Sequence, residues 1–164
     1  MTALRSLRAR LLLAGLLGTA LVVAIAVALM GRIHDDASAR SFDRRIEAEL
    51  VQLVGMAELA VDGRLALARE PGDDRYASPL SGHYWQIRDG TRLLRSRSLW
   101  DAELADADGG ERASLRWRNL AGPRGEPLRV ASRDVRLPKA GRAIRFSVAA
   151  DRSDLIEEAR AFRW

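Results

Sequence analysis

The chain has no cysteine among its 164 residues, which excludes disulfide frameworks and thiolate metal sites outright. Stability must then come from ordinary packing, or from a tether and a partner chain. Lysine is nearly missing too: Lys139 is the single lysine among 27 basic residues, a bias toward arginine that points to GC-rich bacterial coding. No acidic residue precedes Asp35, while Arg5, Arg8 and Arg10 stand in the first ten positions. Setting those three aside leaves 24 basic against 22 acidic residues, so of the net charge of +5 the tail holds +3 and the remainder +2. Arginines alternate with acids through that remainder. The concentrated basic stripe with interleaved aromatics that marks a nucleic-acid binder is missing, and no nucleic-acid partner is expected.

Charge is also missing from residues 11–30, LLLAGLLGTALVVAIAVALM, where Thr19 is the only polar residue. Twenty residues at 1.5 Å per residue span roughly 30 Å, the hydrocarbon thickness of a bilayer. A buried core helix of this length would show a polar face, so the segment reads as a transmembrane helix. The three arginines before it, against Asp35 and Asp36 beyond it, place the N-terminus in the cytoplasm by the positive-inside rule. The expected organisation is a basic cytoplasmic tail (1–10), a transmembrane helix (11–30) and an extracytoplasmic, periplasmic domain (31–164) on the bacterial inner membrane. A cleaved signal peptide is the competing reading, since Ala26-Val27-Ala28 offers a small-x-small site, but twenty apolar residues are long for that role. Gly15 and Gly18 are three apart, which does not give a clear small-xxx-small dimer motif.

Proline is absent from residues 38–69, where Phe42, Ile46, Leu50, Leu53, Ala57 and Ala60 recur every three or four positions. That spacing predicts one long helix with an apolar face. The face could pack on the domain's own sheet or pair with its twin in a dimer, and the pattern fits both. Glu70-Pro71-Gly72-Asp73-Asp74 ends the helix. A period of two then predicts strands at 84–88 and 91–98 around an Asp89-Gly90 hairpin, and at 113–120, 128–137 and 142–150. In the last, Ile144, Phe146, Val148 and Ala150 alternate with Arg145, Ser147 and Ala149, a half-buried pattern. A closing helix starts near Asp151, with Asp151 or Ser153 as its cap, and runs to Trp164. The expected fold class is α+β: a long helix continuing the membrane span, an antiparallel sheet of about five strands, and a closing juxtamembrane helix.

Catalytic machinery is the next absence. Only two histidines occur, His34 and His83, and their isolation gives no metal site by spacing. His34-Asp35-Asp36 reads as a solvated helix exit, and His83 as a hydrogen-bonding residue at the entrance of a strand. Gly109-Gly110 and Gly122-x-x-Gly125 lack the lysine and the strand-to-helix setting of a phosphate loop. No serine lies in a nucleophile elbow. The run Asp106-Ala107-Asp108-Gly109-Gly110-Glu111 fails the calcium-loop pattern at its fifth position and reads as an acidic solvated loop. No catalytic residue, metal or cofactor is expected in this chain. The best candidates for a ligand face are Arg95 and Arg97, placed on one side of a strand, with Trp85, Gln86 and Trp100 nearby. The plainer reading makes the tryptophans packing residues and pairs the arginines with Asp101 or Glu103.

Asp74-Arg75-Tyr76, then Pro79-Leu80-Ser81-Gly82-His83-Tyr84-Trp85-Gln86-Ile87, then Arg95-Ser96-Arg97-Ser98-Leu99-Trp100-Asp101, resemble the periplasmic region of proteobacterial two-component sensor histidine kinases. Gly122-Pro123 and the strand ending Val148-Ala149-Ala150-Asp151 fit the same pattern. The resemblance covers essentially the whole chain and is moderately specific. It implies a PAS-like (PDC-like) sensor fold between two membrane spans, in a homodimer that responds to a small ligand or an envelope signal. It also implies that a kinase part using ATP and Mg²⁺, and acting on a cytoplasmic response regulator, belongs to the parent protein rather than to these residues. The sequence departs from the pattern in ending where the second span is expected. A stand-alone, single-span periplasmic binding or assembly protein is the alternative.

Overall fold

The computed structural model describes residues 7–105, 114–137 and 140–161. Its first element, α1 (Leu7–Met56), is a single helix of 50 residues, about 75 Å long. Within it Ala9–Val27 is long and apolar enough to cross a membrane, and no part of that window is buried among the described residues. Thr19, the one polar group there, donates its hydroxyl to the Gly15 carbonyl at 2.9 Å, so the apolar stretch presents no unsatisfied side-chain donor. The helix runs unbroken through His34-Asp35-Asp36 into the domain, as the expected continuation of the apolar segment into a long helix requires, and the side chains of these three residues lie outside the described set.

The helix stops at Met56, well short of the expected residue 69. Phe42, Ile46, Leu50 and Leu53 do face the core, but Ala57 and Ala60 belong to a hairpin of β1 (Ala57–Leu59) and β2 (Leu65–Leu67). The cause is turn chemistry at Asp62-Gly63. Gly63 takes φ +74°, which a glycine adopts without penalty, and the Asp62 carboxylate accepts from the Arg64 N–H at 3.0 Å. Ala68 then donates to the Met56 carbonyl at 2.8 Å, satisfying one group that the end of the helix leaves open.

The main sheet has five antiparallel strands: β3 (His83–Asp89), β4 (Arg92–Arg95), β5 (Arg116–Ala121), β6 (Pro127–Arg136) and β7 (Ala143–Asp151). Their order across the sheet is β4-β3-β7-β6-β5, so the last strand in sequence is the central one. On one face Ile46, Leu50 and Leu53 of α1 meet Trp85, Ile87, Phe146 and Val148. On the opposite face residues 99–104 fold back, and Leu99 and Leu104 join Tyr84, Leu128, Val130 and Ala149 in a second apolar cluster. The strand expected to be half-buried is therefore covered on both sides. Ser147 is buried with its hydroxyl 2.9 Å from that of Ser132, and Ala149 is fully enclosed. Alternation reported which residues share a face of β7, but the return of residues 99–104 is a tertiary contact that no local period encodes.

A last helix, α2 (Ser153–Ala161), closes the described chain and contacts α1. The Asp151 carboxylate accepts from both the N–H and the hydroxyl of Ser153, at 2.8 and 2.7 Å, and so is the capping group. The expected extension of this helix to Trp164 falls on residues 162–164, outside those described.

Candidate functional site

The most heavily connected polar cluster lies where α1, the 3-10 turn Asp74–Tyr76 with its capping residue Asp73, and the start of β3 meet. Asp73 accepts from the Arg75 N–H at 3.0 Å and takes the Arg75 guanidinium in a two-pronged grip, with Nε at 2.9 and 3.0 Å from its two oxygens. The other side of that guanidinium reaches β3: Nη1 stands 2.5 Å from Nε2 of His83. Glu49 of α1 completes the set, 3.6 Å from Arg75 Nη2 and accepting the Tyr76 hydroxyl at 2.6 Å. Helix, turn and sheet are thus bound through one arginine and one glutamate.

The electrostatics follow from these partners. The hydrogen bond from Arg75 holds the Asp73 carboxyl at about 2, below the usual carboxylate range. Burial first, and the bond to Glu49 second, push the Tyr76 hydroxyl well up, so it remains a donor. Burial and then the adjacent guanidinium lower the pKa of His83, which favours the neutral ring. Beside this cluster, between α1 and the sheet, is a cavity of about 290 Å³ lined by Glu49, Gln52, Leu53, Asp73, Arg75 and Trp85, among others. The Trp85 side chain is buried, and its indole N–H has no hydrogen-bond partner among the described residues. A second cavity of about 410 Å³ lies further along α1, with Leu50, Val51, Val54, Val135 and Ala143 in its walls.

The five residues expected to form a ligand face are not gathered in one place. Gln86 and Arg95 are neighbours across β3 and β4, and both bind the protein's own backbone. Gln86 clamps Leu104 reciprocally, donating to its carbonyl at 3.1 Å and accepting from its N–H at 2.8 Å. Arg95 donates to the carbonyls of Asp101 and Ala102 at 3.1 and 2.9 Å, so it takes backbone oxygens where a carboxylate of Asp101 or Glu103 was expected. Glu103 pairs instead with Arg88 at 2.9 Å. Trp85 points to the opposite face, into the α1 core. Arg97 does not share a strand with Arg95, because β4 ends at Arg95 and Arg97 begins a 3-10 turn. Serine hydroxyls cause that break: Ser96 accepts from the Trp85 N–H at 3.1 Å and Ser98 donates to the His83 carbonyl at 2.6 Å, displacing the regular ladder. Trp100 is 61 % exposed and adopts φ +56°, an uncommon conformation for a bulky residue. The acidic run Asp106–Glu111 lies outside the described residues.

The cluster of Glu49, Asp73, Arg75 and Tyr76 was not picked out as a site from the sequence. Asp74-Arg75-Tyr76 stood out only as part of a resemblance, and the 27-residue separation between Glu49 and Tyr76 leaves no local signal. No protein-family model, curated protein or solved structure matches this chain.

Proposed function

We propose that the chain is the membrane-anchored extracytoplasmic input segment of a two-component sensor histidine kinase, set in the inner membrane with its N-terminus in the cytoplasm. The observation that carries this reading is the continuity of α1. One unbroken helix joins an apolar, membrane-length segment to the core of the domain, where Ile46, Leu50 and Leu53 are buried and Asp43 grips Arg129 of β6 at 2.8 and 3.0 Å. A change in how the sheet sits on that helix is therefore a change at its membrane end. Such coupling needs a signal that favours one arrangement over the other. The five-strand antiparallel sheet with its last strand in the centre and a long helix across one face supports the PAS-like part of the reading.

The orientation rests on Arg5, Arg8 and Arg10 preceding the apolar segment. A homodimer in this reading pairs α1 with its twin along the part of the helix where Ala48, Val51 and Gly55 are exposed. A ligand in this reading enters at the α1 cavity, which Trp85 lines, rather than at the edge of Arg95, Arg97 and Trp100, where Gln86 and Arg95 are bound to backbone. The kinase part, with its ATP, Mg²⁺ and response regulator, belongs to the parent protein. The test is the coding sequence beyond Trp164. A second apolar run of about twenty residues, followed by a histidine-bearing helix and a nucleotide-binding domain, is expected. A stop codon there would overturn the reading in favour of a stand-alone, single-span binding or assembly protein.

A further inference from the structure

The Arg75–His83 contact constrains the protonation state of the histidine. An arginine side chain has only donors and stays charged, so a guanidinium N–H that meets His83 Nε2 at 2.5 Å requires Nε2 to accept. The ring proton is then on Nδ1, which is buried and has no hydrogen-bond partner among the described residues. The other charges described around the ring are already engaged. Asp73 holds Arg75, and Glu49 holds Tyr76 and Arg75. On the β7 side, opposite Ala150, Asp151 caps Ser153, and in the adjoining rung of β6 Arg129 is bound to Asp43. A proton added at Nε2 removes the acceptor and sets two cations against each other at contact distance. Arg75 has somewhere else to go, since Asp73 and Glu49 already flank it.

We propose that His83 is a proton-operated latch between α1 and the sheet: the neutral ring holds Arg75, and with it the turn at Asp73–Tyr76, against β3, and the protonated ring releases them. The stimulus is acidity on the side of the membrane where the domain stands, and the proton comes from solvent. The turn stays joined to α1 through Tyr76 and Glu49, so release loosens this end of the helix-plus-turn unit from the sheet, while the core contacts of Ile46, Leu50 and Leu53 and the Ser81 hydroxyl bond to the Arg75 carbonyl at 2.6 Å hold the rest. Asp73 remains an anion throughout, because Arg75 keeps its pKa at about 2. The lowered pKa of His83 agrees with a neutral resting state that charges only on acidification. The consequence for signalling rests on the reading of α1 as the transmitting element, but the latch itself does not.

The natural lack of cysteine makes the test direct. Spin labels at Ala48→Cys on α1 and Ala77→Cys beyond the turn, both exposed positions, report the separation of helix and turn from one another. A second pair, at Ala77→Cys and the exposed Thr91→Cys by the β3–β4 hairpin, reports turn against sheet. In the full chain in lipid nanodiscs, lowering the pH from 8 to 5 is expected to lengthen and broaden the turn–sheet distance by several ångströms and to leave the helix–turn distance unchanged. His83→Gln offers an amide oxygen to Arg75 that does not titrate, so this variant should keep the pH 8 distance at pH 5. An unchanged turn–sheet distance in the parent, or the same lengthening in His83→Gln, overturns the proposal. A direct readout covers the case in which that variant fails to fold: ring nitrogen resonances of His83, separated from those of His34 with His34→Gln, should titrate at Nε2 below the ordinary histidine value. Titration at or above that value overturns the latch. None of these outcomes depends on whether the gene encodes a second span, so the latch and the sensor-kinase reading fail separately.

Discussion

At the scale of single residues, buried hydroxyl and carboxyl groups hold the parts together. The Tyr84 side chain is fully buried and donates to Glu126 at 2.6 Å while accepting from the Gly82 N–H at 3.2 Å. Burial first, and then the bond to Glu126, push its pKa up to about 12, so it stays protonated at any physiological pH. Tyr84→Phe leaves the Gly82 N–H without an acceptor and strips a donor from a nearly buried carboxylate. It should destabilise the chain by about 1–3 kcal/mol in urea unfolding. Acid sensitivity should appear in two separate windows. The folded pKa of Asp73 lies below its unfolded value of 3.8, so the ion pair stabilises above that value and is lost as pH falls toward 2. Asp89 and Asp134, lowered first by their bonds to Arg142 and Arg145, act in the same direction. His83 works higher up the scale. Its folded pKa is below 6.5, so the unfolded chain takes the proton more readily, and stability declines as pH drops from 6.5 until the folded pKa is passed. Melting temperatures between pH 8 and 2 should show both declines. His83→Gln should flatten chiefly the upper one and Asp73→Asn should shrink chiefly the lower, each with a smaller effect on the other because the two charges interact.

At the scale of elements, glycines with positive φ decide where strands can turn, and two of them make a contrast. Gly141 has φ +68° with open space where a Cβ would stand, whereas Gly82 has φ +84° and would place a Cβ 3.0 Å from the Cβ of Asp151. Gly141→Ala should therefore lose roughly 1–2 kcal/mol, the left-handed penalty alone. Gly82→Ala should lose more, because it also pushes on a residue whose N–H donates to the Gly82 carbonyl and whose carboxylate caps α2. Denaturation of both variants checks the ranking, and equal losses would show that the contact at Asp151 relaxes freely. The α1 face offers a second test. Ile46 is 1 % exposed at the centre of the main core, and Ile46→Ala should cost about 2–5 kcal/mol, while Val51→Ala on the exposed side should cost little. A dimer paired along that exposed side would instead show Val51→Ala as a loss of association.

For the whole molecule, α1 supplies a stretch long and apolar enough to cross a membrane. No part of its Ala9–Val27 stretch is buried among the described residues, and leaving it in water would expose a row of large apolar side chains. The full chain should sediment with membranes and resist alkaline carbonate extraction, and recovery in the soluble fraction would rule out the span. Much of this plan was legible beforehand, because it depends on local repeats. A charge-free run of twenty residues, a period of two in β3 and β7, and the Asp89-Gly90 turn each report their own structure within a few positions. The Asp62-Gly63 turn carried the same signal as Asp89-Gly90 but was outweighed by the helical spacing of Ala57 and Ala60, and small residues are weak witnesses to an apolar face. The sites were far less legible. Arg95 and Gln86 have the chemistry of ligand contacts, yet whether a donor meets a ligand or a backbone carbonyl depends on where residues 101–104 return. The sequence by itself determined the membrane-length helix, the alternation that sorts each strand into two faces, and the α+β class, since these arise from side-chain period and backbone geometry. Only the tertiary structure decided that the last strand lies in the centre, that both faces of the sheet are covered, and that Glu49, Arg75 and His83 meet, because long-range closure depends on packing energies summed over the whole chain.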